Sequence, residues 1–184
     1  MTLEEVTDTF GRIFKQFDAS SEEEEALEGF KGISAKTDHN TFIKGFMKTF
    51  SDGSKSIVAR RLEFFPRLVA SKLINGSAFP VAFGECLFDL WMEASDFPGI
   101  EANYAKIYAD MICADMTTLS DFYIHPSLAG HDDKEYILET YSQFFTELKI
   151  IVHSSVNPQV KASVSSNCLT IISRAIARSQ ALTN

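Results

Sequence analysis

The sequence predicts an all-α protein, a HEAT-like helical-repeat solenoid of stacked antiparallel helix hairpins. Apolar residues recur at steps of three and four along most of the chain, which is the spacing of one helix face. The segments between these runs are short and carry Gly, Pro and Asn, which end helices. Because short connections place successive helices side by side, each apolar stripe is expected to pack on the next helix. A closed bundle stays an alternative, since no internal repeat is recognisable.

Length and composition predict a single domain over residues 1–184. Hydrophobic residues make up 45% of the chain, and 16 of them are Phe, which is enough apolar surface to offset the entropy lost on folding. The excess of acidic residues gives a net charge of −8 at pH 7. A general attraction to phosphate or to anionic lipid is therefore not expected, and any contact with RNA has to be local and weak.

The first two helices are predicted from an apolar stripe and an acidic run. The stripe of the first helix consists of Leu3, Val6, Phe10, Ile13, Phe14 and Phe17. Ser20 and Ser21 offer hydroxyl groups that cap a second helix. Glu22 to Glu25 then fall in its first turn, where the positive end of the helix dipole favours carboxylates.

The third and fourth helices are predicted over residues 38–51 and 54–73. Both show the helical period, and Asn75-Gly76 is expected to end the fourth. Pro66 lies inside the fourth helix, where it has no N–H to donate and its ring crowds the preceding turn. A kink or a break between Leu62 and Pro66 is therefore expected.

The second half of the chain predicts four more helices. They cover residues 79–91, the region from Ile100 to near Leu119, residues 132–152, and a closing helix that begins after Asn157-Pro158. Residues 120–130 hold a Pro and a Gly without any period, so they are expected to form the longest loop.

Motifs of catalysis and metal binding are missing from the sequence. The histidines have no zinc-site spacing, and no phosphate-binding glycine motif or nucleophile elbow is present. His131-Asp132-Asp133, with Asp121 and His125 nearby, is interpreted as loop and helix capping rather than as a cation site. Free core thiols are expected at all three cysteines, Cys86, Cys113 and Cys168. We therefore expect a protein without enzymatic activity, cofactor or metal.

One basic concentration on the fourth helix is the candidate partner-binding surface. Its residues are Arg60, Arg61, Phe64, Arg67 and Lys72. Arginine side chains on an exposed edge would pair with a carboxylate-rich partner or with phosphate. Pairing with acids of the same chain is the alternative that the sequence leaves open. Trp91 is expected to be a core anchor, because it shares a helical phase with Leu87 and Leu90.

The order of these features resembles the middle domain of the eukaryotic initiation factor 4G family. The similar segments are residues 3–29, Asp38 to Phe42, Ala59 to Phe65 with Leu73 to Gly76, Glu85 to Leu90, and Asn157 to Arg174. The resemblance implies an adaptor that docks a DEAD-box RNA helicase of the initiation-factor-4A type, or another translation or RNA-processing factor. Phe42 to Phe46 also has some likeness to the later helical domain of the same scaffold, although Ala59 and Arg60 depart from it.

The function expected from the sequence is that of a non-enzymatic, protein-binding adaptor in messenger RNA translation or metabolism. A direct RNA-binding module and a homo-oligomer, such as a homodimer, are the two alternatives. The acidic start lacks the charge pattern of a signal peptide, and no run reaches the ~20 apolar residues of a membrane span. A cytoplasmic or nuclear protein without membrane contact is therefore expected.

Overall fold

The computed structural model describes residues 1–50, 55–94 and 96–154, and all regular elements in these ranges are helical. They comprise eight α-helices and two 3₁₀ turns, so the all-α fold class is confirmed for this part of the chain. The α-helices are α1 (Leu3–Ser20), α2 (Glu23–Ser34), α3 (His39–Lys48), α4 (Lys55–Ala70), α5 (Phe79–Asp89), α6 (Trp91–Ala94), α7 (Ile100–Cys113) and α8 (Lys134–Ser154). The 3₁₀ turns are Leu119–Asp121 and Pro126–Gly130.

The chain divides into two compact units, residues 1–83 and residues 84–184, with the boundary inside α5. The expectation of one domain and that of a HEAT-like repeat stay predictions. The closing helix expected after Asn157-Pro158 lies outside the described residues.

In the first unit, α1 packs against α2, α3 and α4. A capping box starts α1, since the Thr2 N–H donates to Glu5 Oε2 at 2.8 Å and the Glu5 N–H donates to Thr2 Oγ1 at 3.2 Å. The core is rich in buried phenylalanines, namely Phe10, Phe14, Phe17, Phe30, Phe42, Phe46, Phe64 and Phe65. The stripe predicted for the first helix supplies three of these rings, so its phase is confirmed.

Close approach of α3 to α1 depends on Gly45. A Cβ at this position would overlap the Val6 side chain and approach the Phe10 ring. Val6 and Phe10 are both fully buried, so neither has open space into which it can move. A larger residue at position 45 would therefore force the two helices apart.

The junction between α1 and α2 differs from the prediction. Ser21 adopts a left-handed conformation with φ 62°, and its N–H donates to the Phe17 carbonyl at 2.8 Å, so it ends α1. Glu22 takes the N-cap position of α2 without a side-chain hydrogen bond. The prediction that Ser20 and Ser21 cap the second helix is thus wrong, because this left-handed turn lies between the two helices.

Helix α4 runs through Pro66, so a break between Leu62 and Pro66 is wrong, while the kink expected as its alternative stays a prediction. The pyrrolidine ring is exposed, while the neighbouring Phe65 and Leu68 are fully buried and hold the helix on the core. Helix α4 also ends before the predicted Asn75-Gly76. Lys72, with φ 58°, terminates it, and the Leu73 N–H donates to the Leu68 carbonyl at 3.0 Å.

In the second unit, α8 packs on α7 and also contacts α6 and the turn Pro126–Gly130. The segment predicted as a loop contains the two 3₁₀ turns and contributes Phe122 to an aromatic cluster. The ring centroids of Tyr108, Tyr141, Phe144 and Phe145 lie between 4.9 and 6.2 Å from that of Phe122. A Cβ at Gly84 would overlap the Tyr123 carbonyl oxygen, so this segment also packs tightly on α5.

Two predictions for the second unit need correction. Helix α7 ends at Cys113, and the Met116 N–H donates to the Met111 carbonyl at 3.0 Å to close its last turn, so the sixth helix does not extend to Leu119. Cys86 is buried as predicted, but Cys113 is exposed because it stands at this helix end. Cys168 lies outside the described residues. Among the elements described, no helix has the length and hydropathy of a transmembrane segment.

Candidate functional site

Arg61, one of the predicted binding residues, is buried in the first unit with 8% of its surface exposed. Its Nη1 donates to the Thr49 carbonyl at 2.7 Å and its Nη2 to Asp18 Oδ2 at 3.1 Å. Its guanidinium lies 5.1 Å from the centre of the Phe14 ring. These contacts join α4 to the end of α1 and to the residue that follows α3, so Arg61 has a structural role.

Arg60 also bonds to the end of α1. Its Nη1 donates to the Asp18 carbonyl at 3.1 Å and its Nη2 to Ser21 Oγ at 2.9 Å, while the guanidinium lies 5.1 Å from the Phe17 ring centre. Carbonyl groups at a helix C-terminus carry partial negative charge, which a cation stabilises. Arg60 is therefore engaged within the chain.

The other three predicted binding residues do not lie on a common exposed edge. Phe64 is buried at 3% exposure. Arg67 forms an ion pair with Glu23, and both side chains are about half exposed. Lys72 is exposed at the end of α4. Arg61 and Arg67 thus pair with acids of the same chain, which is the alternative that the sequence left open. Partner binding by these residues stays a prediction.

A groove of about 1070 Å³ lies along the polar side of α1 in the first unit. Its lining has mixed charge, with Asp8 and Asp18 facing the same space as Arg12, Lys15 and Arg61. Charges of both signs lower the selectivity of the groove for either an anion or a cation. The groove is therefore the weaker candidate for a binding site.

An exposed aromatic pair in the second unit is the stronger candidate. The rings of Trp91 and Tyr136 are stacked, with centroids 6.3 Å apart and an interplanar angle of 19°. Tyr136 is 63% exposed and Met92 is 55% exposed, whereas Trp91 is half-buried. The prediction of Trp91 as a core anchor is wrong, because a turn at Leu90 separates α5 from α6 and breaks the helical phase on which it relied.

His131 packs against Trp91 and connects the aromatic pair to Phe88 and His125. The His131 ring lies 6.1 Å from Trp91 and 5.4 Å from Phe88, and Phe88 stacks on His125 at 4.2 Å. Nδ1 of His131 accepts from the Asp133 N–H at 3.1 Å, and Nδ1 of His125 accepts a backbone N–H in the same way. The histidines thus stabilise the loop, which agrees with the capping interpretation. No group of metal-ligating side chains occurs in the parts of the chain that the structure describes.

The aromatic pair borders a cavity of about 390 Å³, which we name the Trp91 pocket. It is lined by Trp91, Ala94, Glu101, Tyr136, Glu139, Thr140 and Gln143. Two polar lining groups are already engaged, since Thr140 donates to the Tyr136 carbonyl at 3.1 Å and Gln143 donates to Glu147 at 3.0 Å. Glu101 and Glu139 have no ion pair or hydrogen bond with a side chain of the described ranges.

The chain around the Trp91 pocket is strongly acidic. Residues 84–154 contain 13 Asp and Glu against three Lys and no Arg, whereas residues 1–83 contain 12 acidic and 11 basic residues. One of the three lysines, Lys106, is paired with Asp110 at 2.7 Å. Burial raises the pKa of Tyr104 well above its usual value, and the nearby Cys86, Glu93 and Asp89 raise it further. The acidic character of this unit is visible in the sequence when charge is counted by segment, and the net charge of the whole chain conceals it.

Comparison with known proteins gives no significant match to this chain, whether with family models, with curated proteins or with solved structures. The class that the described structure defines is that of an all-α protein. Its candidate site is an aromatic and acidic pocket on the second unit. Sequence reasoning missed this pocket, because the helical period of residues 132–152 does not reveal that the Tyr136 ring is exposed.

Proposed function

We propose that the protein is a non-enzymatic adaptor in messenger RNA translation or metabolism, which docks a protein partner at the Trp91 pocket. The partner class, a DEAD-box RNA helicase or another translation or RNA-processing factor, follows from the sequence resemblance to the initiation factor 4G middle domain. A HEAT-like stack of antiparallel hairpins would carry this surface, and the cytoplasm or the nucleus is the compartment that the proposal implies. Fold alone does not fix function, so the proposal depends on the pocket.

The observation that carries the proposal is the exposed ring of Tyr136, stacked on the half-buried Trp91 at the border of the pocket. Large aromatic side chains in contact with water cost about 25 cal/mol for each Å² of apolar surface that stays exposed. Trp and Tyr are also the residue types that contribute most to binding when a partner covers them. A protein partner that buries this pair would recover that free energy.

The lining of the Trp91 pocket favours binding over catalysis. Its polar groups are two carboxylates, the hydroxyls of Thr140 and Tyr136, the Gln143 amide and the Trp91 indole N–H. The Thr140 hydroxyl and the Gln143 amide already bond to other groups of α8. Burial also raises the pKa of the Tyr141 phenol of the same helix. Among the side chains that line the pocket, no hydrogen bond couples a nucleophile to a base.

Affinity capture with a double variant tests the proposal. The full chain is immobilised, incubated with cytosolic extract and with a purified DEAD-box helicase of the initiation-factor-4A type, and the retained proteins are identified by mass spectrometry. We expect a translation or RNA-processing factor to be retained by the native chain and lost from the variant that combines Trp91→Ala and Tyr136→Ala.

The matched control is Ile150→Ala, which removes another exposed apolar side chain of α8, 56% exposed, without touching the pocket. It is expected to retain the same factor as the native chain. Recovery of no translation factor or RNA helicase, or equal recovery by the double variant, would reject the proposed function.

A further inference from the structure

We propose that the Trp91 pocket binds an arginine side chain presented by a segment of the partner protein. This inference deepens the proposed adaptor function and rests on it for its biological role. The occupant is chosen from three features of the pocket, which are its unpaired carboxylates, its stacked rings and the acidic unit around it.

The carboxylates define the charge of the occupant. Glu101 of α7 and Glu139 of α8 both line the pocket and have no cation partner among the side chains that the structure describes. Two carboxylates at one cavity repel each other, and a single guanidinium neutralises this repulsion. Its five N–H donors match carboxylate oxygens in a bidentate geometry that an ammonium group does not provide.

The aromatic rings define the shape of the occupant. Trp91 and Tyr136 present parallel ring faces at the border of the pocket, with Tyr136 mostly exposed. A planar guanidinium stacks on such a face, and Trp gives the strongest cation–π attraction of the aromatic side chains. The volume of about 390 Å³ is near the lower end of about 300–1000 Å³ for ligand pockets, which suits one long side chain.

The surrounding charge defines the kind of partner segment. With 13 acidic residues and three lysines in residues 84–154, this unit attracts a basic segment and repels an acidic one. Such an attraction raises the rate of association and falls with ionic strength. We therefore expect the arginine to lie in a basic stretch of the partner.

Fluorescence of the full chain tests the inference directly, because Trp91 is the only tryptophan. A short synthetic peptide that alternates arginine and serine is titrated into the protein while the Trp91 emission is followed. We expect a saturable change whose midpoint moves to higher peptide concentration between about 50 and 300 mM sodium chloride. The same peptide with citrulline, which keeps the shape of arginine but not its charge, is expected to leave the emission unchanged.

Charge variants locate the interaction. Glu101→Gln and Glu139→Gln each keep the shape of the side chain and are expected to weaken binding of the arginine peptide about tenfold. Glu24→Gln changes the net charge by the same amount on the exposed first turn of α2, in the other unit, and is expected to change the affinity less than about twofold. Circular dichroism of each variant checks that the fold is kept.

Four outcomes would overturn the inference. They are absence of an emission change with the arginine peptide, equal binding of the citrulline peptide, equal binding of a lysine peptide, and an equal loss of affinity in Glu24→Gln and Glu139→Gln. Sedimentation supplies a fifth outcome that would overturn the inference. A dimer that is lost when Tyr136 is substituted, and that the arginine peptide does not dissociate, would assign the pocket to a second copy of the chain.

The two proposals fail separately. Binding of the arginine peptide at Trp91 without any captured translation factor would reject the adaptor function and keep the pocket assignment. If a translation factor is captured by the native chain and lost from the variant of Trp91 and Tyr136, but the arginine peptide does not bind, the adaptor function is kept. The assignment of the pocket to an arginine side chain is then rejected.

Discussion

At the scale of single residues, Arg61 illustrates how a basic side chain becomes part of a core. Its guanidinium donates to the Asp18 carboxylate and to a backbone carbonyl, and both charged side chains are largely covered, at 10% and 16% exposure. A covered ion pair is costly to break on one side only, because the remaining charge stays buried without its partner. Arg67 pairs with Glu23 on the surface, where water solvates the charge that remains when one partner is removed.

We predict that Arg61→Ala lowers the free energy of unfolding by about 2–4 kcal/mol, since it leaves the Asp18 carboxylate and the Thr49 carbonyl without a donor. The control Arg67→Ala is expected to stay within about 0.5 kcal/mol of the native chain, as exposed ion pairs contribute little. Urea denaturation followed by circular dichroism measures both. Equal effects of the two substitutions would contradict the structural role of Arg61.

At the scale of elements, the ends of the helices follow from local hydrogen bonds. Asp38 caps α3, with Oδ1 accepting the Thr41 N–H at 2.9 Å and Oδ2 accepting the Thr41 hydroxyl at 2.8 Å. The backbone hydrogen bond from Thr41, followed by that from its hydroxyl, holds the pKa of Asp38 below its usual value. Because the folded pKa is lower than the unfolded one, the stabilisation is present above pH ~4 and is lost as the pH falls through the folded pKa.

We predict that Asp38→Ala destabilises the chain by about 1 kcal/mol at neutral pH, because the first turn of α3 loses its acceptor. Asp38→Asn keeps an oxygen acceptor and is expected to lower the free energy of unfolding by only about a few tenths of a kcal/mol. Chemical denaturation at a series of pH values compares the variants with the native chain. The difference between the native chain and Asp38→Asn should shrink below pH ~4, and a difference that does not change with pH would refute the role given to the carboxylate.

At the scale of the whole molecule, charge is distributed unevenly along the sequence. The net charge is −8, and residues 84–154 supply most of the imbalance. In the first unit, Arg60 bonds to carbonyl groups at the end of α1, and Arg61 and Arg67 pair with carboxylates. The three arginines of the predicted binding surface are therefore already engaged within the chain, which leaves fewer cations on that surface for the phosphate groups of RNA. This distribution favours a protein partner over the alternative of direct RNA binding.

We predict that the full chain retains no single-stranded RNA on a filter at about 50 mM salt, where phosphate contacts are strongest. The measurement is a filter-binding titration with a mixed-sequence RNA, and a known RNA-binding protein provides the positive control. Retention that falls steeply as salt is added would instead support the RNA-binding alternative and count against the acidic pocket as the main binding surface.

The sequence by itself determined the helical class and most of the elements. The apolar stripe of α1 and the start of the third helix near Asp38 need only residues within a few positions of one another, and interactions of this range are visible in a linear pattern. The capping interpretation of His131-Asp132-Asp133 depends on equally local hydrogen bonds. For the same reason, the predicted helices agree with the described ones in type and differ mainly at their ends.

Only the tertiary structure decided which basic and aromatic side chains reach solvent. Arg61 meets Asp18 across 43 positions of the chain, and no periodicity encodes that distance. The partial exposure of Trp91 depends on the turn at Leu90 and on the packing of α8 beside α6. Contacts between elements distant in sequence set both outcomes, since burial of a side chain is a property of its neighbours and not of its own helix.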